Sequence, residues 1–351
     1  MFRPVLLAFA FGPLLALPAS AQPAPEASAP AALAPIVTAS TERAPDLVYG
    51  AYQRGNYQLA MREALKRLNR NANDTAAMTM LGQLALEGTG VKQDFTQAEH
   101  WFRLAANLGD REAQYALGSM LLQGRGVAKN RTEARAWFEK ASAQEQAGAL
   151  YNLGIMTIED VTVNQAPTTE LLRAAQYFRR SARAGNSDAA YALAVFYQEG
   201  RGVSPDPVQA AEWMRQCAEA HNLNGMVEYA IMLFNGDGVA KDEAKAAKLF
   251  LKAAWMDDPL AENRVARIYA TGRGLPQDLI QAGKWHVLAR TAGVADQWLD
   301  DTLKQLTPDQ WAEVQTQVRK FIANLPAGRR IPVQAPQVRT KEPASQGPGP
   351  Q

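Results

Sequence analysis

Between residues 74 and 293, apolar positions recur at helical spacing in units of 36 to 40 residues. In the first unit Ala77, Leu81 and Ala85 fall at i, i+4, i+8, and Ala98, Trp101 and Ala105 at i, i+3, i+7, so each set marks one face of a helix. The first set returns as Ala113/Leu117, Ala149/Leu153, Ala189/Leu193, Gly225/Tyr229 and Ala261/Val265. The second returns as Ala134/Trp137, Ala174/Tyr177, Ala210/Trp213, Ala246/Leu249 and Ala282/Trp285. Between the two sets stands Gly-x-Gly-Val/Leu, with its first glycine at Gly88, Gly124, Gly200, Gly236 and Gly272. The steps between these glycines are 36, 76, 36 and 36 residues, and the long step conceals one further unit of 40. In that third unit a glycine-free loop, residues 159–169 and four residues longer, is expected in place of the turn. Each unit therefore predicts two short amphipathic helices joined by a tight turn at positive φ. One such pair cannot bury its apolar faces alone, whereas stacked pairs share a continuous core.

The string Ala-x-x-x-Leu-Gly … Gly-x-Gly-Val … Ala-x-x-Trp-Phe-x-x-Ala-Ala resembles the Sel1-like repeat, a relative of the tetratricopeptide repeat, and six units span 74–293. The resemblance implies an all-α, right-handed α/α solenoid that binds another macromolecule. Upstream, Ala51, Tyr52, Gly55, Tyr57 and Ala60 resemble a degenerate tetratricopeptide-like pair over 46–73. Downstream, 294–326 predicts capping helices that shield the last unit from water. A helix is expected over 295–306, and Thr307, Pro308 and Gln310 suit the N-cap, first turn and capping-box partner of another. Trp311, Val314, Val318 and Phe321 then line one face of it.

Composition adds constraints at the ends. Met1-Phe2-Arg3, the apolar run 5–17 and Ala19-Ser20-Ala21 read as an export signal cleaved after Ala21. The run falls short of the roughly 20 residues a spanning helix needs, and no cysteine near the cleavage site offers a lipid anchor. Residues 22–45, rich in Ala and Pro, and 327–351, rich in Pro, Gln and Arg, predict a disordered linker and tail. The expected location is periplasmic or secreted, with no membrane insertion. Cys217 is the single cysteine of 351 residues, so no internal disulfide is possible. It shares the small-residue slot of Ala105, Ala141, Ser181, Ala253 and Ala289, which predicts a buried structural thiol.

Lys plus Arg number 37 against 35 Asp plus Glu, and a net charge of +2 argues against a nucleic-acid partner. The local run Arg62, Lys66, Arg67 and Arg70 reads as a solvated helix face. His100, His221 and His286 form no His-Glu-x-x-His, and no Gly-x-Ser-x-Gly occurs, so surface or groove histidines, no metal and no cofactor are expected. Arg125, Arg201 and Arg273 sit between glycines, but without a preceding strand or a following Gly-Lys-Ser/Thr the turns read as structural. An alternative reading, an envelope-associated enzyme or enzyme accessory acting on cell wall or polysaccharide, would draw on Glu87, Glu159 and Glu199.

The resemblance places recognition on the concave face built by the first helix of each pair. Three stripes follow: Thr79, Tyr115, Tyr151, Tyr191, Val227, Asn263; Gln83, Ser119, Ile155, Val195, Ile231, Arg267; and Leu86, Leu122, Ile158, Gln198, Phe234, Ala270. Stacked Tyr115, Tyr151 and Tyr191 offer large, rigid area with a polar tip. Ile155, Ile158, Val195, Val227, Ile231 and Phe234 make the middle units apolar where an idle groove would be polar. The expectation is an exported, non-catalytic adaptor or scaffold whose partner is a peptide, helix or domain of an envelope protein. A periplasmic regulator of a membrane sensor and an envelope assembly factor both fit it.

Overall fold

A computed structural model of the chain describes residues 46–164 and 168–325. The expected signal segment, linker and tail lie outside the described residues. Among those described, every regular element is helical. A leading pair, α1 (Leu47–Gln53) and α2 (Tyr57–Arg70), precedes the array. The six units are α3 (Thr75–Glu87) with α4 (Phe95–Asn107), α5 (Arg111–Gln123) with α6 (Arg131–Ser142), and α7 (Ala147–Asn164) with α8 (Thr168–Arg183). They continue as α9 (Ser187–Glu199) with α10 (Pro207–Glu219), α11 (Leu223–Asn235) with α12 (Glu243–Trp255), and α13 (Pro259–Thr271) with α14 (Leu279–Thr291). Each helix packs chiefly on its neighbours in sequence, which is the contact pattern of an α/α solenoid.

Helix boundaries follow from local chemistry. Ten of the array helices start at an Asp or Asn whose side-chain oxygen accepts a backbone N–H of the first turn. Each such cap contributes about 1 kcal/mol. Five of the six first helices end at glycines in the left-handed region, as at Gly236 with φ 88. The second glycine of the turn has another role. A Cβ on Gly238 would lie 1.9 Å from the Pro207 carbonyl oxygen, so this turn rests directly on the start of α10 in the preceding unit.

The core is built from alanines and the aromatics of the second helices. Ala77, Ala98, Ala113, Ala134, Ala149 and Ala174 are fully buried, letting backbones approach. In units one, three and five the buried filler is the residue after the one singled out by periodicity, whereas Trp137, Trp213 and Trp285 are buried at the predicted position itself. Phe102, Phe138 and Phe178 are 0% exposed, while Trp101 and Tyr177 keep a solvent edge. Each phenylalanine ring lies on a glycine of its partner helix; a Cβ on Gly118 would meet Phe138 Cε1 at 2.8 Å. His286 occupies the same slot in the last unit and is 3% exposed, which corrects the expectation of a surface or groove histidine.

Two further expectations change. Residues 159–164 are helical, not loop: without a glycine to stop it, α7 runs on to Asn164. The extra turn is tied to α6, with Arg131 holding Glu159 at 2.7 Å and Asp160 at 2.5 Å, and Arg135 also bonding Asp160. Arg67, expected to be solvated, bridges Asp74 at 2.8 Å and Asp46 at 3.1 Å and so links α1, α2 and α3.

The cap comprises α15 (Gln297–Thr302), a 3₁₀ turn (Leu303–Gln305) and α16 (Pro308–Ala323). Thr307 and Gln310 form the expected capping box, and Val314, Val318 and Phe321 bury themselves against α14. The Lys284 ammonium is enclosed there by Trp255, Trp285 and Phe321, 4.3 to 5.1 Å from their ring centroids.

Candidate interaction surface

The face formed by the first helices carries the predicted residues unevenly. Tyr115, Tyr151 and Tyr191 are half-buried and serve partly as packing. The Tyr115 ring covers Gly148 of the next unit, where a Cβ would lie 2.6 Å from Cζ, and tilts against Phe138 at 6.1 Å. Tyr151 tilts against Phe178 at 5.8 Å. Burial, reinforced by nearby carboxylates, pushes the Tyr191 hydroxyl up to about 12, so it stays neutral and can still donate a hydrogen bond. Val227 shares the tyrosine register but is buried, at 4% exposure. A tyrosine ring reaches past its neighbours from this position and a valine does not, so Val227 belongs to the core and not to the surface. Asn263, Ser119 and Ala270 are buried as well.

Ile155, Ile158, Val195, Ile231 and Phe234 are half-buried along α7, α9 and α11. Ile155, Ile158, Ile231 and Phe234 rest on the core with one side and meet solvent with the other. The apolar stretch ends in an open pocket of about 300 Å³ between α11, α13 and α15. Its wall includes Ile231 and Phe234, the three arginines Arg264, Arg267 and Arg273, and Trp298. Arg267 is pinned by a two-point contact with Asp296, Nε–Oδ2 2.6 Å and Nη2–Oδ1 2.8 Å, and lies 5.1 Å over Trp298. Burial alone would raise the Asp296 carboxyl, but hydrogen bonds from Arg267, Asn263 and the Leu299 N–H overcome it and hold the group at about 2. Arg273 stacks 4.2 Å over Phe234 and pairs with Glu243 at 2.5 Å. Arg264 is exposed and forms no ion pair among the described residues.

Periodicity placed Ile231, Phe234 and Arg267 on this surface. It missed Arg264, Arg273 and Trp298 as wall residues. The spacing of Arg264, Arg267 and Thr271 at i, i+3, i+7 is the signal that could have found the first, since it describes the outer stripe of α13. Trp298 belongs to the cap and lies outside any period.

The chemistry-bearing groups remain apart. Glu87 accepts from the Tyr52 hydroxyl at 2.8 Å, Glu159 pairs with Arg131 and Glu199 with Arg201 at 3.7 Å, each in a different unit. His286 Nε2 is 2.8 Å from Asp300 Oδ1, and Arg290 bonds the same carboxylate. His221 Nδ1 lies 2.9 Å from Lys252 Nζ, and His100 packs edge-on against Trp101. Cys217 is fully buried against Gly225, and burial, then the charge of Asp188, pushes its thiol up to about 12. No group of three or more His, Cys, Asp or Glu residues able to hold a metal occurs among the described residues. No described helix is long and apolar enough to cross a membrane.

The family profile described as Sel1 repeat matches residues 75–110, 111–145, 168–186, 187–222, 223–258 and 259–294, over half of the chain. The unmatched stretch within the array, 146–167, contains α7, the first helix of unit three with its extension. A crystal structure of a Sel1 repeat protein from Oxalobacter formigenes is 30% identical, covering 70% of this chain and 98% of its own, with a TM-score of 0.60. A protective antigen present in uropathogenic Escherichia coli strains, displaying an SLR fold, is 25% identical over 78% of this chain and 67% of its own, with a TM-score of 0.49. No curated protein matches the sequence.

Proposed function

The chain belongs to the Sel1 repeat family, whose members are typically protein-interaction scaffolds, and from that premise we propose that it is an exported adaptor binding a protein partner along its first-helix face. The observation that carries this reading is the run of half-exposed apolar side chains, Ile155, Ile158, Val195, Ile231 and Phe234, on successive units. Ile155, Ile158, Ile231 and Phe234 are supported from behind by the core, so most of the surface is preformed and a partner loses little entropy in ordering it. Export rests on the segment ending at Ala21, and it makes the partner an envelope protein. The version we favour is a regulator that grips the outer domain of a membrane sensor.

The test combines capture with variants. Purified protein is immobilised in periplasmic extract of its own host, alongside the double variant Ile155→Ser/Val195→Ser. A specific partner is expected on the wild type and lost on the variant, with the helical spectrum retained and a similar melting temperature. Retention of that partner at wild-type level overturns the reading. Export is checked by N-terminal sequencing, expected to begin at Gln22; unprocessed chain confined to the cytoplasmic fraction would refute it.

A further inference from the structure

We propose that the pocket between α11, α13 and α15 is a subsite for an acidic side chain that the partner carries beside an apolar one; this rests on the first-helix-face reading and names what that face takes at one end. Three arginines, Arg264, Arg267 and Arg273, contribute to the pocket wall, and no Asp or Glu does. Their charges are not equivalent. Asp296, largely buried behind Arg267, offsets one, and Glu243 offsets Arg273. Arg264 has no carboxylate within ion-pair distance among the described residues; Glu228, on α11, acts on it only at longer range. A single uncommitted guanidinium suits one carboxylate better than a doubly charged group such as a phosphate.

The apolar half of the site is equally specific. Phe234 lies beneath Arg273, Trp298 beneath Arg267, and Ile231 stands between them and the apolar stretch of α7 and α9. Stacking on rings and pairing with Asp296 fix Arg267 before any ligand arrives, so its remaining N–H groups are presented without further loss of rotamer freedom. Arg264 supplies a planar donor fork that a carboxylate can engage at two points. A volume of about 300 Å³ lies at the lower limit for ligand pockets, and it suits side chains of a longer partner that continues along the face. A neutral or basic segment would leave Arg264 unsatisfied or repelled.

A random dodecapeptide library displayed on phage tests this. It is panned on the purified protein and on Arg264→Glu, Arg264→Gln and Ile155→Ser/Val195→Ser variants, and the enriched peptides are then synthesised and titrated. Arg264 is exposed, so its replacement leaves the fold in place, as circular dichroism will verify. Enriched sequences are expected to set Asp or Glu within two positions of Leu, Ile, Phe or Trp. Their affinity should fall about tenfold on Arg264→Glu, and less on Arg264→Gln. Enriched peptides without acidic preference, or with equal affinity for Arg264→Glu, overturn the subsite. If those peptides are lost only on Ile155→Ser/Val195→Ser, the face binds peptides and the subsite assignment alone fails. No enrichment on the wild type overturns both.

Discussion

Replacing Gly238 by alanine separates two reasons for a glycine, conformation and space, when it is set beside Gly109→Ala. Both residues have positive φ, +68 at Gly238 and +93 at Gly109. At Gly109 an added Cβ meets nothing within 4 Å. Its cost is the left-handed conformation, about 1–2 kcal/mol, less the roughly 0.4–1 kcal/mol by which alanine stiffens the unfolded chain. A net loss of about 0.5–1 kcal/mol follows. At Gly238 the same term applies, but the Cβ would also sit 1.9 Å from the Pro207 oxygen and 2.4 Å from its carbonyl carbon. Side-chain carbons essentially never come within 3.0 Å, so the turn must retreat by about 1 Å from the start of α10. That obstacle is backbone and cannot rotate away. Overpacking of this kind adds about 1–3 kcal/mol, giving about 2–4 kcal/mol in all. Urea unfolding followed by circular dichroism at 222 nm is the assay. Midpoints are compared, not extrapolated free energies, because repeat arrays can unfold in parts. With a slope of about 1–3 kcal/mol per molar urea, Gly238→Ala should lower the midpoint by about 1 M or more and Gly109→Ala by a few tenths. Equal midpoints for the two variants would refute the claim that this turn docks on the preceding unit.

Other predictions use the same repeats as their own controls. His221 adopts φ 61 at the position held by Gly109, Gly185 and Gly293, so His221→Gly should stabilise by about 0.5–1 kcal/mol and raise the melting temperature by a few degrees; a lower melting temperature contradicts it. Asp296 is held at about 2 in the folded chain against 3.8 unfolded, so its contribution is complete above pH ~4 and is lost as pH falls towards 2. About 2 kcal/mol is at stake, and Asp296→Asn, which keeps a helix-capping oxygen, should flatten the acid limb of stability; an unchanged limb in urea midpoints between pH 5 and pH 2 refutes the assignment. Cys217, fully buried with its thiol pushed up to about 12, should react with Ellman's reagent only in denaturant; stoichiometric labelling of the native protein within minutes would show the slot to be open.

The fold was legible because its determinants are periodic. Alanine at Ala98, Ala134 and Ala174, glycine at the turns and Asp or Asn at helix starts each answer a local requirement, and stacking imposes the same requirement on every unit. Where a determinant failed to repeat, the reading failed with it. The missing turn glycines of unit three suggested a loop, yet the physical consequence of losing a helix stop is a longer helix, and Arg131 and Arg135 were in place to hold it. His286 looked like a surface residue because histidine is polar. Its register with Phe102 and Phe138 was the better guide, and Asp300 from the cap supplies the partner that makes its burial tolerable.

The surface obeys a different logic, which is why only part of it could be read. Tyr115, Tyr151, Tyr191 and Val227 occupy one register position, and what each exposes depends on side-chain length and on the neighbouring unit. Register alone therefore predicts which residues point the same way, but not how far they project. The pocket adds a second condition. Its wall joins residues more than thirty positions apart, Ile231 and Phe234 from one unit, Arg264 and Arg267 from the next, and Trp298 from the cap. The cap breaks the repeat, so the part of the wall that Trp298 supplies is particular to this end of the array. A binding preference needs such a break, because identical units would present identical and weakly discriminating surfaces along the whole face. The region where periodicity ends, with Arg267 over Trp298, Arg273 over Phe234 and Arg264 in the same wall, is accordingly where the proposed subsite would set a partner preference.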